Sequence, residues 1–137
     1  MVGACPGGLF AAYHLIRMGH SVEIFEAGAH PGGLLWTGIP DYRLPNSILK
    51  AEIDRIVNMG VKIRLNYKAT DIVAEIRNGK FNACFLAIGA QLIQQETFEK
   101  DDFLYIKDAF SFFAEYKSNS SPCIMKKVVV YGGGKLA

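Results

Sequence analysis

Apolar residues recur along this chain at two spacings, and the switches between them predict alternating helices and strands. Leu9, Ala12, Leu15 and Ile16 share one face of a helix predicted over 7–18, with Gly19 placed as its C-terminal cap. Val22-Glu23-Ile24-Phe25-Glu26 reads as a short buried strand. Residues 27–45 are rich in glycine and proline, which predicts a shaped loop without regular structure. Asn46 is the expected N-cap of a helix carried by Ile48, Leu49, Ile53, Ile56 and Val57 and ended by Gly60. Val61-Lys62-Ile63-Arg64-Leu65 is the next strand. A short helix over 72–77, capped by Thr70 or Asp71, leads to a buried strand, Ala83-Cys84-Phe85-Leu86-Ala87-Ile88, ending at Gly89. A weaker helical pattern covers 108–116. Lys117-Ser118-Asn119-Ser120-Ser121-Pro122 has linker composition, and Val128-Val129-Val130-Tyr131 reads as a new strand.

Strands separated by helices imply a parallel sheet with helical crossovers. The expected fold class is therefore α/β, a Rossmann-like parallel sheet. In such a fold the first glycine turn follows the central strand, and a strand needs about five residues. Only Met1 and Val2 precede Gly3, so the central first strand is expected to be truncated to a stub. The unpaired backbone on either side would then invite an oligomer through exposed sheet edges.

Two glycine-rich turns carry the candidate chemistry. Gly3-Ala4-Cys5-Pro6-Gly7-Gly8 opens the first helix, and Gly132-Gly133-Gly134 closes the last strand-like run. A strand–glycine turn–helix element presents backbone N–H groups and a helix N-terminus to the pyrophosphate of a dinucleotide. Gly3 and Gly8 keep the first and third positions of G-x-G-x-x-G, whereas Cys5 replaces the middle glycine and sets a side chain where the phosphate passes. Weaker binding is expected unless the loop shifts. Glu26 ends the second strand at about the 20-residue spacing at which an acidic residue meets the ribose hydroxyls. The two turns suggest a flavin domain over 1–116, a linker over 117–127 and the start of a nicotinamide domain over 128–137.

Composition narrows the partners. The chain has 137 residues, half of them apolar, which is enough for one core, and a net charge of +2 gives no basis for a nucleic-acid or membrane-surface partner. Three cysteines lack metal-site or disulfide spacing and suit a reducing, cytoplasmic setting. No apolar run reaches the roughly 18–20 residues of a membrane span, and a signal peptide is not expected ahead of Gly3.

Several segments together resemble one family. Gly3 to Leu9, Ile24-Phe25-Glu26-Ala27, Pro31-Gly32-Gly33-Leu34-Leu35, Gly38-Ile39-Pro40-Asp41-Tyr42-Arg43-Leu44-Pro45, Leu86-Ala87-Ile88-Gly89-Ala90 and Val128 to Gly134 occur in this order. The chain resembles the small subunit of glutamate synthase and its relatives, which include the flavin/NADPH region of dihydropyrimidine dehydrogenase and the large subunit of transhydrogenases coupling ferredoxin to nicotinamides. The resemblance implies FAD in the first domain and NADP or NAD in a second, incomplete one, with electrons leaving through iron–sulfur clusters on another subunit or on domains outside this chain. It further implies that Gly3, Cys5, Pro6, Gly7 and Gly8 meet the FAD pyrophosphate and Glu26 the adenosine ribose. Gly33 and Leu34 would pass the flavin, Arg43 would contact FAD, the Ala69 backbone would meet the adenine, and Gly89 would pass the cofactor again. Gly132, Gly133 and Gly134 would begin the nicotinamide site. Gly7 stands at a usual alanine, which is harmless, and Lys135 stands at a usual asparagine, which weakens the expected nicotinamide contacts there.

No side chain is expected to act as acid, base or nucleophile. His14, His20 and His30 read as surface residues, Phe110, Phe112, Phe113 and Tyr116 as core or interface, and Trp36 as either packing or a neighbour of the flavin. Two further readings stand beside the flavoprotein one. The chain could be a non-enzymatic remnant or binding module whose sheet another polypeptide completes, or a small NAD-binding regulatory domain.

Overall fold

The computed structural model describes residues 1–89, 106–117 and 126–132. Pro6 occupies the first turn of α1 (Pro6–Arg17), where its missing N–H costs nothing, so the helix starts one residue before the expected Gly7. The chain continues through β1 (Glu23–Phe25), α2 (Leu34–Thr37), α3 (Asn46–Asn58), β2 (Lys62–Arg64), α4 (Ile72–Asn78) and α5 (Ala109–Lys117). β1 and β2 pair in parallel, with Glu23 opposite Lys62, Ile24 opposite Ile63 and Phe25 opposite Arg64. Both are shorter than their five-residue patterns suggested.

The stub of the central strand is present. Val2 forms parallel bridges to Phe25 on one side and Leu86 on the other. The Val2 N–H donates to the Phe85 carbonyl at 3.0 Å, and the Ala87 N–H donates to the Val2 carbonyl at 2.7 Å. On the other side the Gly3 N–H donates to the Phe25 carbonyl at 2.8 Å. The order across the molecule is therefore β2, β1, Val2, Leu86, which is a doubly wound arrangement.

Side chains alternate across a strand, and the two faces are covered by different helices. Ile24 joins Ala4, Leu9, Ala12, Val22, Leu49, Ile53 and Val61 in the main core, to which α1 gives Leu9 and Ala12 and α3 gives Leu49 and Ile53. Each large aliphatic side chain buried there stabilises the fold by about 1.5–3 kcal/mol. The neighbouring Phe25, 4% exposed, points to the opposite face, where its ring lies 5.1 Å from Tyr67 and 5.9 Å from Phe81. A shallow cleft on that face is lined by Val2, Phe25 and the α4 residues Ile72, Glu75 and Ile76. The first two crossovers thus lie on one face and the third on the other. The connection reverses at the stub, and this switch point is where open α/β sheets hold their ligands.

Several sequence expectations are corrected. Asn46 is not the cap of α3. Pro45, extended at φ −56° and ψ 133°, takes that place and its carbonyl accepts from Ile48 and Leu49 N–H at 3.0 and 3.2 Å. Of the two candidate caps of α4, Asp71 does the work, its Oδ1 accepting from the Ala74 N–H at 2.9 Å. The loop over 27–45 contains the single helical turn α2. Ala83 to Ile88 meets the sheet at the Leu86 bridge and is not a buried strand: Phe85, Leu86 and Ile88 are about half exposed, and Ala87 is buried. Val128 to Tyr131 forms no strand among the described residues and is exposed, Val129 at 93%. A β segment needs a partner, and Val128 to Tyr131 pairs with none among the described residues. Asp108 caps α5 through Ser111, and α5 takes in Lys117 from the expected linker. Residues 118–125 lie outside the described ones.

Candidate functional site

At the switch point the backbone itself excludes side chains. Gly3 sits at φ +98°, and a Cβ there would lie 2.1 Å from the Ala87 carbonyl oxygen. A Cβ on Gly8 would lie 2.1 Å from the Gly3 carbonyl oxygen, which is the close helix-on-strand approach expected of the third glycine. Cys5, between them, is extended at φ −73° and ψ 172°. Any residue adopts that conformation, so the thiol strains nothing and its cost is confined to space. Cys5 gives α1 no side-chain cap. The first-turn N–H groups of Gly7 and Gly8, with the positive end of the helix dipole, are left to an anion. Gly7 is exposed, and a Cβ there would meet nothing nearer than the Cys5 Sγ at 3.8 Å. The thiol therefore stands at the mouth of the helix.

Glu26 is bound into the same turn. Its Oε2 accepts from the Ala4 N–H and its Oε1 from the Gly28 N–H, both at 2.7 Å. Each carboxylate oxygen has a second lone pair, so a diol can still donate to it. The Tyr67 N–H donates to the Glu26 carbonyl at 2.9 Å, which lays the half-buried Ala69 segment alongside.

The glycine pair after β1 folds over the first turn. The Gly32 N–H donates to the Ala4 carbonyl at 2.7 Å, and a Cβ on Gly33 would lie 3.1 Å from the Cys5 Cβ. Gly33 has φ +54° and starts α2, whose first residue Leu34 is half exposed. The structure thus brings Gly3, Cys5, Pro6, Gly7, Gly8, Glu26 and Gly33 to one place. Gly89 lies just beyond Ala87, at the same end of the sheet.

Other expected residues are not joined to this cluster. Arg43 is exposed on a turn in which its own N–H donates to the Pro40 carbonyl at 2.9 Å. No hydrogen bond or ion pair links its guanidinium to the cradle among the described residues. Gly132 is exposed with open space around it, and Gly133 and Gly134 lie outside the described residues. The sequence reading did not assign Ala4, Gly28 and Gly32, whose backbone groups tie Glu26 and the glycine pair together. Backbone donors leave no side-chain signature, although the doubled glycine at 32–33 was one available sign.

Replacing Cys5 by glycine is expected to open this mouth. We expect Cys5→Gly to bind a dinucleotide about tenfold more tightly, or ~1.4 kcal/mol, in a fluorescence titration. Equal affinity of the two proteins would show that the thiol does not face the phosphate path.

Comparison with known proteins agrees with this geometry. Residues 1–49 match the family described as NAD(P)-binding Rossmann-like domain. Over its whole length the chain is 37% identical to the NADP(+)-dependent formate dehydrogenase subunit beta of Moorella thermoacetica, covering 20% of that protein. It is 38% identical to the NADPH-Fe(3+) oxidoreductase subunit beta of Geobacter sulfurreducens, covering 21% of it. Over 66 residues, 48% of this chain and 16% of the relative, it is 53% identical to the NAD-dependent dihydropyrimidine dehydrogenase subunit PreT of Escherichia coli. The kinship with nicotinamide-dependent oxidoreductases read from the motifs is borne out, including the dihydropyrimidine dehydrogenase likeness. The chain spans about 16–21% of the length of these relatives. No helix among the described residues is long and apolar enough to cross a membrane.

Proposed function

We propose that this chain is the Rossmann-like segment of an NAD(P)H-dependent oxidoreductase, and that its cradle binds FAD. The observation that carries this is the Gly32-Gly33 turn folded onto Ala4 and Cys5, beside Glu26 and the uncapped start of α1. A plain nucleotide-binding βαβ unit has no use for that second loop, whereas FAD needs a surface beyond its pyrophosphate for the ring. In this reading Gly7 and Gly8 donate N–H groups to the pyrophosphate, and Glu26 accepts from the ribose diol. The Ala69 backbone borders the adenine, and Gly33, Leu34 and Gly89 line the way to the ring. Arg43 supplies a guanidinium fork to an anionic oxygen when its turn closes.

When bound, FAD accepts a hydride from NAD(P)H and releases electrons singly. The chain's own contribution is binding, orientation and the exclusion of water. In this proposal residues 1–116 are the flavin-binding part, residues 117–127 a linker, and 128–137 the beginning of a nicotinamide domain. Iron–sulfur clusters carried by other segments or subunits would take up the electrons, as in glutamate synthase-like enzymes, in the cytoplasm. The outer edge of β2, unpaired among the described residues, is where such a neighbour completes the sheet.

A second reading has its own support. The family matched by residues 1–49 is described as NAD(P)-binding, so the same cradle could hold the nicotinamide nucleotide itself. Trp36, the one tryptophan, lies in α2 beside the cradle and reports on either ligand. Incubation with FAD followed by desalting should leave flavin absorbance on the protein and quench Trp36. NADPH should not displace the flavin. A colourless protein whose Trp36 responds to NADPH alone would replace the first reading by the second.

A further inference from the structure

We infer that Lys117, at the end of α5, is a positioning residue that clamps the turn presenting Arg43, so that α5 docking and cofactor binding support each other. The inference rests on the FAD reading above for its consequence, but its geometry is independent of any ligand.

α5 buries none of its residues fully, yet the Lys117 side chain is only 4% exposed. A cation hidden to that degree must be paired. Its Nζ lies 3.1 Å from Asp41 Oδ1 and donates to Asn46 Oδ1 at 3.2 Å. These two residues bracket Arg43, Asp41 on the exposed turn and Asn46 at the start of α3. The same helix reaches the other end of the turn, where the Phe110 ring would touch a Cβ on Gly38 at 3.6 Å. On the outer side of the turn Asp41, Tyr42 and Arg43 are all exposed, while Pro40 is buried and Leu44 packs against the core. Within it, the Arg43 and Leu44 N–H groups both donate to the Pro40 carbonyl, at 2.9 and 3.1 Å.

A clamp on the outer side limits where Arg43 can travel. By reciprocity, a ligand that holds Arg43 in place stabilises α5 docking, and a docked α5 tightens that ligand.

Hydrogen exchange in the whole chain tests the clamp. Lys117→Met keeps the apolar stem and removes both polar bonds. We expect exchange at the Arg43 and Leu44 amides to rise about fivefold or more, with no change in the α1 and β1 amides and an unchanged thermal midpoint. FAD affinity should fall about tenfold. Asp41→Asn, at an exposed carboxylate, serves as a second variant that leaves the core alone and should show smaller changes in the same two readouts. FAD in the parent protein should in turn slow exchange in α5. Exchange at 43–44 that stays at the parent rate in both variants would overturn the clamp. Raised exchange with unaltered FAD affinity would overturn the coupling. A parent protein that takes no FAD defeats the cofactor reading and the coupling, while the exchange rates still decide the clamp.

Discussion

Gly3→Ala is expected to unfold the protein or leave it barely folded. The added Cβ would sit 2.1 Å from the Ala87 carbonyl oxygen and 2.7 Å from its carbon, and both atoms are backbone. They are held by the Ala87 N–H to Val2 bond, so neither can move without opening the bridge between the stub and the Leu86 segment. The backbone at φ +98° adds about 1–2 kcal/mol of conformational strain for a residue with a side chain, and overpacking adds about 1–3 kcal/mol or more. Against a total stability of about 5–15 kcal/mol for a domain, that is a large fraction. Urea unfolding followed by circular dichroism measures it. Gly7→Ala is the control: its Cβ meets nothing closer than 3.8 Å, and alanine favours the helix, so its midpoint should equal or exceed the parent's. If Gly3→Ala also unfolds at the parent midpoint, the Gly3–Ala87 approach is not as close as the structure shows.

Glu26→Gln should cost cofactor affinity far more than its small change in shape suggests. The carboxylate accepts from two backbone N–H groups at once, Ala4 and Gly28. A carboxamide has one oxygen, so its NH2 group must face one of those donors. Hydrogen bonds to a charged acceptor contribute about 1.5–3 kcal/mol when buried, less at a half-exposed group such as this. The glycine turn therefore loosens. The ribose diol loses its anionic acceptor as well, and FAD affinity is expected to fall about 10- to 100-fold. Quenching of Trp36 gives the affinity, and the urea midpoint of the same variant separates loss of the turn from loss of the ligand contact. Affinity within twofold of the parent would remove Glu26 from the cofactor site.

Helices and their ends were the most legible features. The spacing of Leu9 and Ala12, and of Leu49 and Ile53, placed α1 and α3 and the face each buries, because helical bonds and the 3.6-residue period are local. The cap of α4 was narrowed to Thr70 or Asp71 for the same reason, since a cap answers to donors two or three residues away, and the structure picks Asp71. The link between Gly3, Gly8 and Glu26 was readable across a longer span because a βαβ unit has a nearly constant length.

Strands and long-range partners were not legible in this way. Val128-Val129-Val130 has an apolar strand pattern, and so does Leu86-Ala87-Ile88, but a ladder exists only where a neighbour supplies an edge. Among the described residues Val2 bridges Phe25 and Leu86, and the Leu86 and Ile88 side chains are about half exposed. Asn46 carries a cap's side chain, yet its oxygen goes to Lys117, 71 residues away. No local rule reveals that a linker-like lysine will be buried there. Composition and periodicity set the α/β order, the glycine cradle and its carboxylate through short-range geometry. Tertiary structure alone decided which backbone groups anchor Glu26, how the Gly32-Gly33 turn closes over Cys5, and what holds the Arg43 turn, because each of these depends on atoms that folding brings together from distant parts of the chain.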